Sequence, residues 1–222
     1  MKKIFDGKIY EILPKSDGII FSYQKAVIAD GDVVWYKMLS FENSNMTDIS
    51  KNIYWNLKFG SNYAVAVETC NNFVSTKALL LPNSRLLLCC DNGQVFIIDP
   101  DGMINIAGEL KYRGQAPSDI ALYKNGIWAS FENNNALIRF NINTMRTELR
   151  IGGNNSPFDK PLGIFTENQT AFVCNSASNN IVKVDLENYS VEELYTFEEP
   201  VYSYMKSGGY EFVLLESGLY VI

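Results

Sequence analysis

The chain of 222 residues contains no histidine. That single absence removes the commonest general base and the commonest metal ligand together. Ser-His-Asp and Cys-His catalysis are excluded, as are histidine-bound zinc and iron sites. Cysteine is scarce, with only Cys70, Cys89, Cys90 and Cys174. No C-x-x-C spacing occurs among them, so neither a zinc nor a redox motif is supported. Cys89 and Cys90 are adjacent, and on a strand their side chains point to opposite faces and do not easily bridge. The cysteines are expected to be buried, reduced thiols acting as small apolar residues, which suits a reducing compartment. Basic clusters are missing beyond Lys2-Lys3, and the formal net charge is −6. Nucleic acid is therefore not an expected partner. Long apolar runs are missing too; the longest are strand-sized, so no membrane span is expected. The start, Met1-Lys2-Lys3-Ile4-Phe5-Asp6-Gly7, turns polar too early for a signal peptide, and a cytoplasmic location is the expectation.

Apolar residues make up 47% of the chain and aromatics 13%, enough for a sizeable core and against disorder. The organising feature is a repeat. Slid forward by 44 positions, Pro117 falls on Pro161, and no gap is needed as far as Ile142 and Leu186. Ile127-Trp128-Ala129-Ser130 lands on Ala171-Phe172-Val173-Cys174, and Leu137 to Ile142 lands on Ile181 to Leu186. Repeats of this length, made of short strands and turns, predict an all-β β-propeller of four-stranded antiparallel blades in one domain over 1–222.

Blades are predicted over 77–107, 117–151 and 161–195. Asn and Gly mark their corners because they accept left-handed backbone angles cheaply. The third strand of each ends in Asp99, Asn141 or Asp185, where a short acceptor serves the following turn. After Pro200 only three strands remain, Val201 to Met205, Tyr210 to Leu215 and Leu219 to Ile222. The N-terminal strand Lys8 to Leu13 is expected to complete that last blade and close the ring, which removes an open edge. Further strands are expected at Ile19 to Tyr23, Ala26 to Ala29 and Val33 to Phe41, with a turn at Asp30-Gly31-Asp32. Asn43 to Ser50 reads as a polar loop, and Ile53 to Phe59 and Tyr63 to Thr69 as strands; helices have almost no support. The turns near Gly31, Gly93, Asn134, Ser178 and Gly218 are spaced by 62, 41, 44 and 40 residues. Five blades with an elaborated first one is the favoured reading. Six, with a compact extra blade around Ile53 to Thr76, is the rival.

The segments Ser130-Phe131-Glu132-Asn133-Asn134-Asn135-Ala136-Leu137-Ile138-Arg139-Phe140-Asn141 and Cys174-Asn175-Ser176-Ala177-Ser178-Asn179-Asn180-Ile181-Val182-Lys183-Val184-Asp185 resemble the repeats of NHL-type and YVTN-type propellers. The match is clear over 116–195 and weak before residue 76. It implies a fold and little about function, since such propellers host lactonases, lyases and pure interaction modules. Propellers resembling streptogramin lyase use a catalytic histidine, which this chain lacks. Propellers similar to calcium-dependent sugar lactonases gather one Glu, two Asn and one Asp at the channel mouth, oxygen ligands that suit a hard cation. Asp119, Asp159, Asn175 and Glu199 offer such oxygens here, but no diagnostic spacing links them. No cofactor and no metal are therefore expected.

The candidate site is one rim of the ring, where blade-to-blade loops and the turns between second and third strands converge. Arg113, Gln115, Ser118 and Asp119 are placed there, followed by Asp159 and Lys160, then Glu198, Glu199 and Tyr202. Asp91, Glu132, Asn133 and Asn175 come from the turns. Trp128 aligns with Phe172 and reads as core, whereas Trp35 and Trp55 are candidate platforms for a sugar or a protein partner. The favoured function is a non-enzymatic propeller that binds a protein or a small ligand. The alternatives are a calcium-dependent lactonase-like hydrolase and a carbohydrate-binding propeller.

Overall fold

The 44-residue repeat is also a repeat of hydrogen-bonded register. Ile127 pairs with Phe140 and Trp128 with Arg139; 44 residues on, Ala171 pairs with Val184 and Phe172 with Lys183. The computed structural model describes residues 1–28, 31–72, 75–153 and 155–222. Over these, twenty strands form five four-stranded antiparallel sheets. The fold is a five-bladed propeller.

The first strand, β1 (Lys2–Asp6), belongs to the last blade. Blade I holds β2 (Ile9–Lys15), β3 (Gly18–Ile28), β4 (Gly31–Ser40) and β5 (Met46–Ile49). Two helices follow, α1 (Lys51–Phe59) and α2 (Tyr63–Asn72). Blade II is β6 (Ser75–Leu80), β7 (Leu86–Cys90), β8 (Gln94–Ile98) and β9 (Ile104–Glu109). Blade III is β10 (Asp119–Tyr123), β11 (Gly126–Phe131), β12 (Ala136–Asn141) and β13 (Thr147–Gly152). Blade IV is β14 (Pro161–Glu167), β15 (Thr170–Asn175), β16 (Asn180–Asp185) and β17 (Val191–Thr196). Blade V is β18 (Val201–Ser207), β19 (Tyr210–Leu215) and β20 (Gly218–Val221), completed by β1.

Closure by the N-terminus is as expected in kind, but the strand is different. Lys2 pairs with Val221 and Asp6 with Gly218, so β1 closes the ring, not Lys8 to Leu13. Ile9–Lys15 is instead the first strand of blade I. The misassignment has a physical source: Lys2-Lys3 looks like a solvated tail, yet its backbone supplies the missing ladder. Phe5 then packs edge-on against Phe21 and Tyr23 of blade I, ring centres 5.0 Å apart in both cases.

Four of the five blade-to-blade interfaces pack sheet on sheet. Buried side chains of blades II and III share one cluster (Leu87, Cys89, Ile97, Ile127, Phe131, Ile138), and III and IV share another (Trp128, Leu137, Ala171, Val182). Blades IV and V meet at Phe172, Ile181, Tyr204 and Val213, and V and I at Phe212, Leu219, Ile19 and Phe21. Between blades I and II the helices intervene. Phe59 and Ala66 cover Leu86, Leu88, Phe96 and Ile98 of blade II, while Tyr54 stacks near Tyr36 of β4, ring centres 4.6 Å apart. The 62-residue interval is therefore a blade plus a helical wedge, not a sixth blade.

Ile53 to Phe59 and Tyr63 to Thr69 are helical, contrary to the strand reading. Their β-branched and aromatic content misled because packing overrides propensity. The signals that mark α1 are its ends. Ser50 Oγ accepts the Ile53 N–H at 3.3 Å, and Gly60, at φ +70°, follows the last helical residue. At helical spacing Trp55 meets Phe59, ring centres 5.5 Å apart. Three smaller corrections concern blade I. The loop expected at Asn43 to Ser50 contains β5, and the expected strand from Ala26 is continuous with β3. Gly31 and Asp32 start β4 rather than forming a turn; Ala29 and Asp30 lie outside the described residues.

The strand-end acceptors serve the turns in two blades of three. Asn141 Oδ1 accepts the N–H groups of Asn143 (2.9 Å) and Thr144 (3.2 Å), and Asp185 Oδ1 those of Glu187 (2.8 Å) and Asn188 (3.0 Å). In blade II the task passes to Asp101, which accepts the Met103 N–H, while Asp99 accepts the Asn105 amide. Cys89 and Cys90 do point to opposite faces, into two different clusters. Both are buried, as is Cys174; the Cys70 side chain lies outside the described residues. Burial pushes the Cys89 thiol up to about 12, which makes it a poor nucleophile.

Candidate functional site

The five innermost strands, β2, β6, β10, β14 and β18, surround a central channel of about 780 Å³. Each blade is antiparallel, so the start of its first strand lies beside the end of its second. Lys77 pairs with Cys89, Asp119 with Ser130 and Val201 with Leu215. Lys77, Asp119 and Tyr202 therefore gather at the mouth that carries the turns between second and third strands.

Among the described residues four charged side chains line the channel: Glu11, Lys58, Lys77 and Asp119. Glu11 and Lys58 neutralise each other, Lys58 Nζ donating to Glu11 Oε2 at 2.9 Å. Tyr54 Oη donates to the same oxygen at 2.5 Å, and burial first, then the Glu11 charge, holds this phenol well above its usual value. A strand of blade I and the wedge helix are thus tied by a charge-assisted pair.

Asp119 bridges blades III and IV. Its Oδ1 accepts the Ile120 N–H at 2.9 Å and its Oδ2 the Ile164 N–H at 3.0 Å. Ser130 Oγ donates to the Leu162 carbonyl at 2.8 Å and Thr166 Oγ1 to the Leu122 carbonyl at 3.0 Å across the same seam. The aligned residue of the next blade is Gly163, and a Cβ there would stand 2.5 Å from the Tyr202 carbonyl oxygen. The neighbouring backbone leaves no room for a second aspartate.

Asp119 is open to channel water yet enclosed by protein on its other sides. Burial raises its carboxyl to about 6 from the ordinary 3.8, against the opposing pull of the Ile164 N–H, the Lys77 ammonium and the Ile120 N–H. Because the folded value is the higher one, the folded state binds the proton more tightly between those limits. The stability this group contributes is full below its ordinary value and is lost as pH rises through about 6. Urea midpoints of the wild type and Asp119→Asn, taken at about pH 4.5 and about pH 7, are expected to show the wild type losing ground to the variant at the higher pH. An equal difference at both would mean a fully solvated carboxylate.

Lys77 has no hydrogen-bond or ion-pair partner among the described residues. Burial lowers its ammonium below the ordinary value, while Asp119 acts in the opposite sense.

Of the residues expected at the rim, Ser118, Asp119 and Tyr202 line the channel. Ser118 Oγ also accepts the Glu132 N–H at 3.2 Å, tying Glu132 to the mouth. Arg113, Asn133, Asp159, Lys160, Glu198 and Asp91 are exposed on surrounding loops. Gln115 Oε1 accepts the Asn134 amide at 2.7 Å. Asn175 is fully buried; its Oδ1 accepts the Asp159 N–H and its Nδ2 donates to Asn180. Both carboxylate oxygens of Glu199 are held by Ser217. The oxygens of Asp119, Asn175 and Glu199 are thus engaged in three separate places. Among the described residues no three Asp, Glu or Cys side chains stand close enough to hold a metal.

The sequence reading missed Glu11, Lys58 and Lys77. Glu11 was hidden by assigning its strand to the wrong blade, and Lys58 by reading a helix as a strand. Lys77 carried a legible signal: it is the one charge of β6 and directly precedes the apolar run Ala78-Leu79-Leu80.

No known family profile matches the chain, and no curated protein matches it significantly. Solved structures do. Virginiamycin B lyase from Staphylococcus aureus aligns over 100% of this chain and 86% of its own, with TM-score 0.56 and 14% identity. The likeness is one of fold. A streptogramin B lyase aligns over 98% of this chain and 83% of its own (TM-score 0.54, 15% identity), and the computationally designed Ika4 protein over 67% and 89% (TM-score 0.52, 10% identity). A catalytically inactive histidine-to-alanine variant of the S. aureus lyase has been solved with quinupristin.

Proposed function

We propose that this propeller is a non-enzymatic binding protein whose central channel receives a small polar ligand. The observation that carries the reading is the Lys77 ammonium, unpartnered among the described residues, in an open channel of about 780 Å³, a volume in the range of small-molecule sites. The serines of the channel have no histidine to activate them. The S. aureus lyase loses activity with one histidine, and no histidine exists here, so sharing its fold does not argue for sharing its chemistry.

The test is a thermal-shift and native mass-spectrometry screen with small anionic, neutral and cationic compounds. Ser203 lines the channel. At least one class is expected to bind the wild type and to bind Ser203→Tyr more weakly, since the larger side chain takes up part of the channel. Binding by no compound, or binding indifferent to Ser203→Tyr, overturns the reading.

A second reading, docking of a protein partner, draws on the β3–β4 hairpin. It runs past its neighbours, with Val27 and Ile28 71% and 55% exposed. Its Trp35 is 41% exposed, but the Lys25 ammonium lies 3.3 Å from the ring centre, which covers one face against a stacked sugar. Loss of a captured partner on changing Val27 and Ile28 to serine, with the channel screen blank, would favour this reading.

A further inference from the structure

We infer that the channel is built for a small monocarboxylate carrying a hydrogen-bond donor next to its carboxylate, a 2-hydroxy or 2-amino acid, with the carboxylate on Lys77 and the donor on Asp119. This deepens the channel-binding reading and rests on it.

The inference follows from what each polar group lacks. Glu11 and Lys58 satisfy each other and leave no net charge for a ligand. Among the described residues Lys77 is the channel cation without an ion-pair partner. Its ammonium and the Asp119 carboxylate feel each other's charge but are not within the 4.0 Å of an ion pair. A buried or half-buried ammonium left unpaired is costly, and a ligand carboxylate removes that cost. Asp119 is positioned differently. Each of its oxygens already accepts one backbone N–H, so each keeps one lone pair. Ionised above about pH 6 it accepts, and so selects a ligand O–H or N–H beside the group that Lys77 holds. The two anchors lie on the adjacent strands β6 and β10 of neighbouring blades, so a short ligand is enough to bridge them. The same carboxylate argues against a dianion: one lysine beside one aspartate repels the second negative charge of a phosphate.

Calorimetry or ligand-observed NMR with five probes tests this: lactate, alanine, propionate, methyl lactate and inorganic phosphate. Lactate or alanine is expected to bind, and which of the two does so separates the hydroxy from the amino acid. Propionate, lacking the donor, is expected to bind about ten-fold more weakly, and methyl lactate and phosphate not measurably. Lys77→Met is expected to lose at least about ten-fold in affinity with an unchanged near-ultraviolet dichroism spectrum. Asp119→Asn is expected to narrow the gap between lactate and propionate. Should a neutral or cationic compound enter the channel while no carboxylate does, this inference fails and channel binding survives. If nothing of any class binds, both fail. Unchanged lactate or alanine affinity in Lys77→Met also overturns the assignment.

Discussion

Replacing Gly218 with alanine is expected to destabilise the protein by about 3 kcal/mol, among the larger effects of a single methyl group. Gly218 opens β20 at φ +143°, a backbone angle that L side chains rarely adopt. A Cβ there would lie 2.2 Å from the Phe5 carbonyl oxygen, well inside contact distance. That oxygen belongs to β1, so the methyl group pushes away the strand that completes blade V. The penalty therefore adds backbone strain to partial loss of the closing ladder and of the Phe5 contacts with Phe21 and Tyr23. Gly209→Ala supplies the control. Its φ is +80°, so it carries the strain, but nothing lies within 4 Å of the added carbon. It should cost about 1 kcal/mol. Denaturant midpoints of the two variants check this, and equal losses would mean that closure by β1 contributes little.

Phe59→Ala should cost a similar amount, about 3 kcal/mol, through a different mechanism. Phe59 is 4% exposed and, with Ala66, covers the face of blade II that has no sheet packed on it. Truncation leaves a cavity over Leu86, Leu88 and Ile98 and loosens the helix that carries Lys58 to Glu11. Leu57 stands on the opposite face of the same helix and is 42% exposed. Leu57→Ala is expected to change stability by less than about 0.5 kcal/mol, since alanine is the better helix former and little packing is lost. If the two substitutions cost the same, the helices decorate the ring and do not wedge it.

How much of this was legible beforehand varied along the chain. From residue 77 onward every strand could be placed to within a few residues, because alternation, Asn and Gly corners and the 44-residue register agreed with one another. Before residue 77 the local signals conflicted. Ile53-Tyr54-Trp55 and Tyr63-Ala64-Val65 carry strand-forming side chains in segments whose ends, Ser50 and Gly60, carry helix boundaries. The boundary chemistry was right and the side-chain propensity was wrong. Tertiary packing decided between them: a sheet face in blade II needed covering, and α1 brings Phe59 to it and α2 brings Ala66.

The candidate site divides in the same way. Ser118, Asp119 and Tyr202 could be named from the sequence because they open innermost strands. Glu199, named from a blade-to-blade loop, is held by Ser217, and Asn175, named from a turn between second and third strands, by Asp159 and Asn180.

The amino-acid order alone determined that small antiparallel units recur, that the chain's beginning must complete its end, and that histidine chemistry is absent. These depend on local periodicity and composition, which need no knowledge of distant contacts. Only the folded ring decided which N-terminal strand does the closing, what fills the seam between blades I and II, and which of four channel charges is left without a partner. Those outcomes depend on pairs far apart in the chain, such as Lys2 with Val221, Glu11 with Lys58 and Asp119 with Ile164. Burial and partner choice at such separations are set by contacts between residues far apart in the chain, and those contacts have no local signature.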